Sequence, residues 1–167
     1  MKLLVVIDVQ NGFTRTDKTK EVSRKIVELT NSGEFDIILA SKFINNDESP
    51  YVSFLKWNKL MKSPETDLVD GLKFDFSFEK STYTCWSDNF LSMLVKANNG
   101  KVPHEVYICG IDTDCCVLNT AVDLFEHKIK PIVLTNYCYS NGGEEYHLSA
   151  LKVLERNIGK DSLSKEK

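Results

Sequence analysis

The chain has 167 residues, with 21 basic and 24 acidic side chains, a formal net charge of −3, 42% hydrophobic and 27% charged residues. That length suits one domain, in which about 70% of the unfolded surface can be buried without disulfide staples. The composition excludes a disordered chain, a collagen-like repeat and a coiled coil, and without a basic excess the chain has no electrostatic footprint for a nucleic-acid backbone. Taken in chain order, residues 2–8 read as a buried strand. Its apolar stretch, Leu3 to Ile7, stops at Asp8, too short for a membrane span or the apolar region of a signal peptide. Residues 16–32 read as a helix with Val22, Ile26 and Leu29 on one stripe and Gly33 as its stop. Residues 36–42 are a second strand, and 51–61 a short amphipathic helix carrying Phe54, Leu55, Trp57 and Leu60. That helix is expected to act as a lid or a subunit contact. A weaker alternating run, 74–80, suits an edge strand.

The second half repeats the alternation. Helices are expected over 88–97, 114–127 and 144–158, and strands over 105–109 and 132–135. The strands are continuously apolar, as in a parallel sheet covered on both faces. The expected fold is α/β: an open, doubly wound, mostly parallel sheet of five or six strands, with helices on both faces in a Rossmann-like three-layer αβα sandwich. A single domain is expected over 1–158, with a polar, fraying tail at 159–167. Cys85, Cys109, Cys115, Cys116 and Cys138 are odd in number, contain no C-x-x-C and include a vicinal pair. They suggest free thiols in a reducing, cytoplasmic compartment.

In such a sheet the ligand binds beyond the carboxyl ends of the strands, at the switch in strand order. Three reactive residue types end strands expected to be neighbours: Asp8, Lys80, and the cysteines after Gly110. Singly they are ordinary. An Asp after a strand forms turns, a Lys is solvated, and a Cys on an apolar helix face is core. Together on one rim they suggest chemistry. With Thr113 as N-cap, Asp114 takes N1 and Cys116 takes N3. A thiol there sees the positive end of the helix dipole, which lowers its pKa, and unpaired N–H groups stand ready for an oxyanion. Cys115 lies about 100° around the helix, so only one of the pair faces a pocket.

The segment Gly110-Ile111-Asp112-Thr113-Asp114-Cys115-Cys116-Val117 resembles the G-x-x-T-D-x-C-V signature of the isochorismatase-like cysteine hydrolases. Asp8-Val9-Gln10-Asn11-Gly12-Phe13 is similar to their D-x-Q-x-x-F opening. Lys80 with Tyr83 is similar to their K-x-x-[YF] segment, and Thr120-Ala121, Asp123 and His147 fit the later pattern. The resemblance covers residues 2 to about 158. It implies Cys116 as nucleophile, Asp8 as proton acceptor and Lys80 as the cation beside them, a triad for amide or imide C–N hydrolysis through a thioester. It also implies a cis peptide at Ile111–Asp112, with the amides of Asp112 and Cys116 forming an oxyanion hole.

One branch of that superfamily, the nicotinamidases, holds a divalent metal through an Asp-x-His pair after the second strand. Phe43 and Asn45 stand at those places here, and His104, His127 and His147 are far apart. No metal and no cofactor are therefore expected. Gln10, Phe13, Phe43, Asn45, Tyr83 and Trp86 are expected around the substrate, a small amide, ureide or carbamoyl compound. A homodimer or larger homo-oligomer is expected, with no nucleic-acid or membrane partner. The competing readings are a catalytically silent relative acting through protein contacts, a nicotinamidase-type enzyme with an altered metal site, and a flavodoxin-like signalling domain. The last lacks the acidic cluster that magnesium needs beside Asp8.

Overall fold

The computed structural model describes residues 1–164. Six parallel strands form one sheet in the order β3-β2-β1-β4-β5-β6: β1 (Leu3–Ile7), β2 (Ile37–Phe43), β3 (Phe76–Lys80), β4 (Glu105–Ile111), β5 (Lys130–Tyr139) and β6 (Leu163–Ser164). The order is that of a doubly wound fold, with the switch between β1 and β4. Strand β1 runs through the centre, and all five of its residues are buried. That explains its unbroken apolar sequence. The weakly alternating β3 is the edge strand, as its sequence suggested.

Helices α1 (Asp17–Asn31), α3 (Asp88–Ala97), α4 (Leu118–Glu126) and α5 (Glu144–Ile158) link the strands, and a single short turn, α2 (Pro50–Ser53), follows β2. Helix α1 starts in a capping box between Thr16 and Thr19, which satisfies backbone donors that the helix leaves free. Ser87 caps α3 by accepting from the Phe90 amide. Their apolar stripes, Val22, Ile26 and Leu29 on α1 and Phe90, Leu94 and Ala97 on α3, join the sheet in the main core. Each fully buried large side chain contributes about 1.5–3 kcal/mol there.

Four expectations need correction. The helix expected over 51–61 is only the turn α2. Lys56 and Leu60 have positive φ (57° and 58°), which a helix of L-residues does not accommodate. The helix expected to begin with Thr113 as its N-cap is preceded by a π turn, Thr113–Val117, whose N-cap is Asp112. Lys80 is not on a neighbour of β1, because β2 lies between them. The stretch after residue 158, expected to fray, makes a 3-10 turn at Lys160–Ser162 and the strand β6 beside β5. The rest of the expected tail, 165–167, lies outside the described residues.

Candidate active site

Gly110 brings the two halves of the site together. It pairs with Ile7 at the end of β1 and has φ of 140°. A Cβ there would stand 2.1 Å from the Ile7 carbonyl oxygen. Only glycine lets β4 close on β1 at this point, and the closure sets the segment after β4 beside Asp8.

Asp8 is fully buried. Its Oδ1 accepts from Ser41 Oγ at 2.6 Å, and its backbone N–H donates to the same hydroxyl at 3.1 Å. Lys80 reaches across β2 from the edge strand and places Nζ 2.7 Å from Asp8 Oδ2. The contact is an ion pair, and among the described residues Oδ2 has no hydrogen-bond partner of good geometry. Nζ also donates to the carbonyls of Thr82 (2.7 Å) and Tyr83 (3.0 Å) and lies 5.3 Å from the centre of the Phe43 ring. Two ammonium protons thus go to carbonyls, and the charge faces the Asp8 carboxylate as an ion pair. Burial alone would lower the lysine pKa, but the Asp8 carboxylate holds it above its ordinary value.

Cys116 is buried against this pair. Its pKa is raised, not lowered: burial is the main cause and the Asp8 charge the next, with Lys80 opposing them. The dipole argument from sequence is overruled by desolvation. The resting group is a thiol facing the Asp8 side chain, an arrangement that could serve as a nucleophile beside a base. The backbone N–H of Asp112 donates to no acceptor among the described residues, Cys116 sits within the Thr113–Val117 turn, and the Ile111–Asp112 peptide is cis.

The thiol opens on a cavity of about 280 Å³ lined by Phe13, Arg15, Phe43, Tyr51, Leu55, Trp57, Tyr83, Asp112, Cys115 and Cys116. Its aromatic wall is a hydrophobic cluster of its own, with Phe13, Phe43 and Tyr51 packed on Leu60 and Ile111. Phe13 and Trp57 stack with centroids 6.0 Å apart, and Tyr51 meets Tyr83 edge-on at 5.0 Å. Burial pushes the Tyr51 hydroxyl up to about 12, so it is a neutral phenol.

Of the six residues expected around the substrate, Phe13, Phe43 and Tyr83 line this cavity. The other three do not. Gln10 is a buried strut whose amide binds the Phe43 N–H, the Phe43 carbonyl and the Thr66 carbonyl. Asn45 donates to the carbonyls of Trp57 (3.2 Å) and Lys59 (3.0 Å) and accepts from Asn46 and Ser49, so it anchors the cavity wall. Trp86 stacks on His127 at 3.8 Å, at the C-terminal end of α4, and packs against the main core. Sequence reading missed Ser41 and Arg15, and it took residues 51–61 for a lid or a subunit contact, whereas Tyr51, Leu55 and Trp57 line the cavity itself. Ser41 was legible as a polar residue inside a buried strand. Arg15 comes from the connection ahead of α1, whose path no periodicity reveals. Sequence reading also missed Cys85, a buried thiol pushed up to about 11 by desolvation.

His147 Nδ1 lies 2.8 Å from Thr113 Oγ1, and the ring stacks on Tyr139. It braces the Thr113–Val117 turn. Among the described residues no three His, Cys, Asp or Glu side chains converge to hold a metal ion. The corner after β2 offers a buried ring and an amide already committed to hydrogen bonds. These residues do not fit a metal ion.

The family model described as the Isochorismatase domain matches residues 2–160. No curated protein sequence matches the chain. Among solved structures, a nicotinamidase from Bacillus subtilis is 23% identical, covers 95% of this chain and 97% of its own, and superposes with a TM-score of 0.79. An N-carbamoylsarcosine amidase from Thermoplasma acidophilum is 22% identical over 100% and 99% of the two chains, TM-score 0.75. A pyrazinamidase from Pyrococcus horikoshii in complex with zinc is 21% identical over 94% and 96%, TM-score 0.77. At these identities the likeness is one of fold.

Proposed function

The chain belongs to the isochorismatase family of hydrolases, and from that premise we propose that it is a metal-independent cysteine hydrolase cleaving a C–N bond of a small amide, ureide or carbamoyl compound. The observation that carries this reading is the buried Asp8–Lys80 contact at 2.7 Å beside the Cys116 thiol, on the wall of an aromatic cavity. Asp8 accepts the thiol proton as sulfur adds to the carbonyl carbon. The oxyanion is held by the amides of Cys116 and of Asp112, the latter free of other acceptors among the described residues. Asp8 returns the proton to the leaving nitrogen, the C–N bond breaks, and a thioester remains on Cys116. Asp8 then takes a proton from water, hydroxide adds to the thioester, the C–S bond breaks, and the sulfur recovers its proton. Lys80 keeps its charge throughout and offsets the negative charge as it moves from carboxylate to sulfur.

A silent relative has no physical reason to keep this arrangement. A desolvated ion pair is costly, and apolar residues of the same volume stabilise a core equally well or better. The absence of a fitting donor set for a metal supports metal independence. Ammonia release from a panel of small amides, ureides and carbamoyl compounds tests the reading, with protein dialysed against a strong chelator and Cys116→Ala as control. Release that depends on Cys116 and survives chelation is expected. Release restored only by zinc, iron or manganese contradicts it.

A further inference from the structure

Asp112 takes part in the proposed chemistry only through its backbone, yet its side chain lines the cavity. The carboxylate is fixed. Its Oδ1 accepts from the Asn141 N–H at 2.7 Å and from Asn141 Nδ2 at 2.8 Å. Asn141 is itself tied down, donating through Nδ2 to the Phe13 carbonyl at 2.9 Å and accepting from Thr19 Oγ1 at 3.4 Å. Oδ2 has no partner among the described residues, and no Lys or Arg there lies within ion-pair distance of it. Among the described residues Arg15 is the only other charged side chain on the cavity wall, and it is exposed.

A carboxylate in this place opposes the reaction unless something compensates it. The substrate carbonyl becomes an oxyanion at the amide of the same residue, so two negative charges would build up side by side in a cavity walled by aromatic rings. Low-dielectric surroundings make that repulsion larger than in water. A hydrogen-bond donor or a positive charge on the substrate, set beside its scissile carbonyl, converts the repulsion into recognition.

We propose that Asp112 is the specificity-determining side chain of this cavity, and that the substrate carries a donor nitrogen, ammonium or N–H, on the atom next to the scissile carbonyl, received by Asp112 Oδ2. The proposal rests on the reading of the cavity as a C–N hydrolase site and narrows its substrate class. Asn141 is the positioning residue that orients the acceptor.

The test is a binding measurement on the Cys116→Ala protein, so that turnover does not enter. Calorimetry near neutral pH compares 2-phenylglycinamide, whose ammonium sits next to the carbonyl, with 2-phenylacetamide, which has the same skeleton without it. The ammonium compound is expected to bind roughly tenfold or more tightly. Adding Asp112→Asn should bring the ratio of affinities toward one, a readout that a merely structural Asp112–Asn141 brace would not move. Adding Asn141→Ala should shrink the ratio partway. Equal affinities in the parent, an unchanged ratio in Asp112→Asn, or binding of neither compound overturns the proposal. So does tighter binding of phenylmalonamate, the carboxylate analogue, which would give the discriminating role to Arg15. Ammonia release by the unsubstituted chain reports separately. Cys116-dependent release without the affinity ratio sinks this proposal alone, and the ratio without any release sinks the hydrolase reading alone.

Discussion

Ser41 is the residue whose role is sharpest once the site is assembled. Its hydroxyl donates to Asp8 Oδ1 and accepts from the Asp8 amide, so one side chain fixes the carboxylate. Ser41→Ala removes a hydrogen bond to a charged group, and leaves a buried N–H unpaired. We expect kcat to fall roughly 10–100-fold and stability to drop by about 1–3 kcal/mol, checked by steady-state kinetics and denaturant unfolding. Unchanged kcat in a folded protein would mean that Asp8 is not the base. Asp112 gives a prediction with a definite sign. Burial lifts its pKa from 3.8 to about 6, against the opposing hydrogen bonds from Asn141, with Asp114 adding to the rise and Arg15 opposing it. Its charge is therefore disfavoured in the fold. The penalty is absent below pH 3.8, grows between the two values, and is complete above about 6. Asp112→Asn should raise Tm relative to the parent above about pH 6 and make no such difference below about pH 3.8. A Tm gain that is the same at both ends contradicts the assignment.

At the level of elements, the closure of β4 on β1 and the anchoring of the loop after α2 shape the site. Gly110→Ala sets a methyl against the Ile7 backbone, which cannot give way. The expected outcome is a loss of more than about 4 kcal/mol, seen as failure to fold or a Tm far below the parent. A folded Gly110→Ala protein with parental stability would mean that the closure is not obligatory. The loop after α2 is held by Asn45 through the carbonyls of Trp57 and Lys59, while the Leu60 amide donates to Glu65. These long-range bonds are why an amphipathic pattern at 51–61 does not become a helix. The positions of Trp57 and Leu60 suit a helical stripe, but the backbone follows its polar anchors. Asn45→Ala should raise KM more than it lowers kcat, because it loosens the aromatic wall without touching the triad. The reverse split, measured by steady-state kinetics, would argue that Asn45 meets the reacting group.

For the whole molecule, the sheet was legible because its inner strands, β1 above all, are covered on both faces and so read as unbroken apolar runs, while the alternating β3 marks an edge and the two-residue β6 carries no such signal. The helices were legible because their stripes have a single period. β5 was read short, at 132–135. Its pairing with β4 slips between Ile108 and Gly110, and its far end carries Asn136 and Tyr137, which no apolar run announces. Asp8, Lys80 and the cysteine pair after Gly110 stood out because each ends a strand or opens the following turn; the choice of Cys116 over Cys115 came from the family resemblance, and Lys80 reaches the β1/β4 switch from the edge of the sheet. What sequence reading could not supply was the state of the thiol, which depends on how deeply the fold buries it. Nor could it show the contact that joins an edge-strand lysine to a central-strand aspartate past the intervening β2. The fold therefore bears on one claim above all, that Cys116 carries the acyl group while Asp8 moves the proton. Rapid acid quenching during turnover of a slow amide substrate, followed by peptide mass spectrometry, reads this directly. The account predicts the acyl mass on the peptide position of Cys116, rising and then decaying as ammonia accumulates, and no adduct in Cys116→Ala. Ammonia release that continues in Cys116→Ala, or an acyl group found on Cys115 instead, would contradict it.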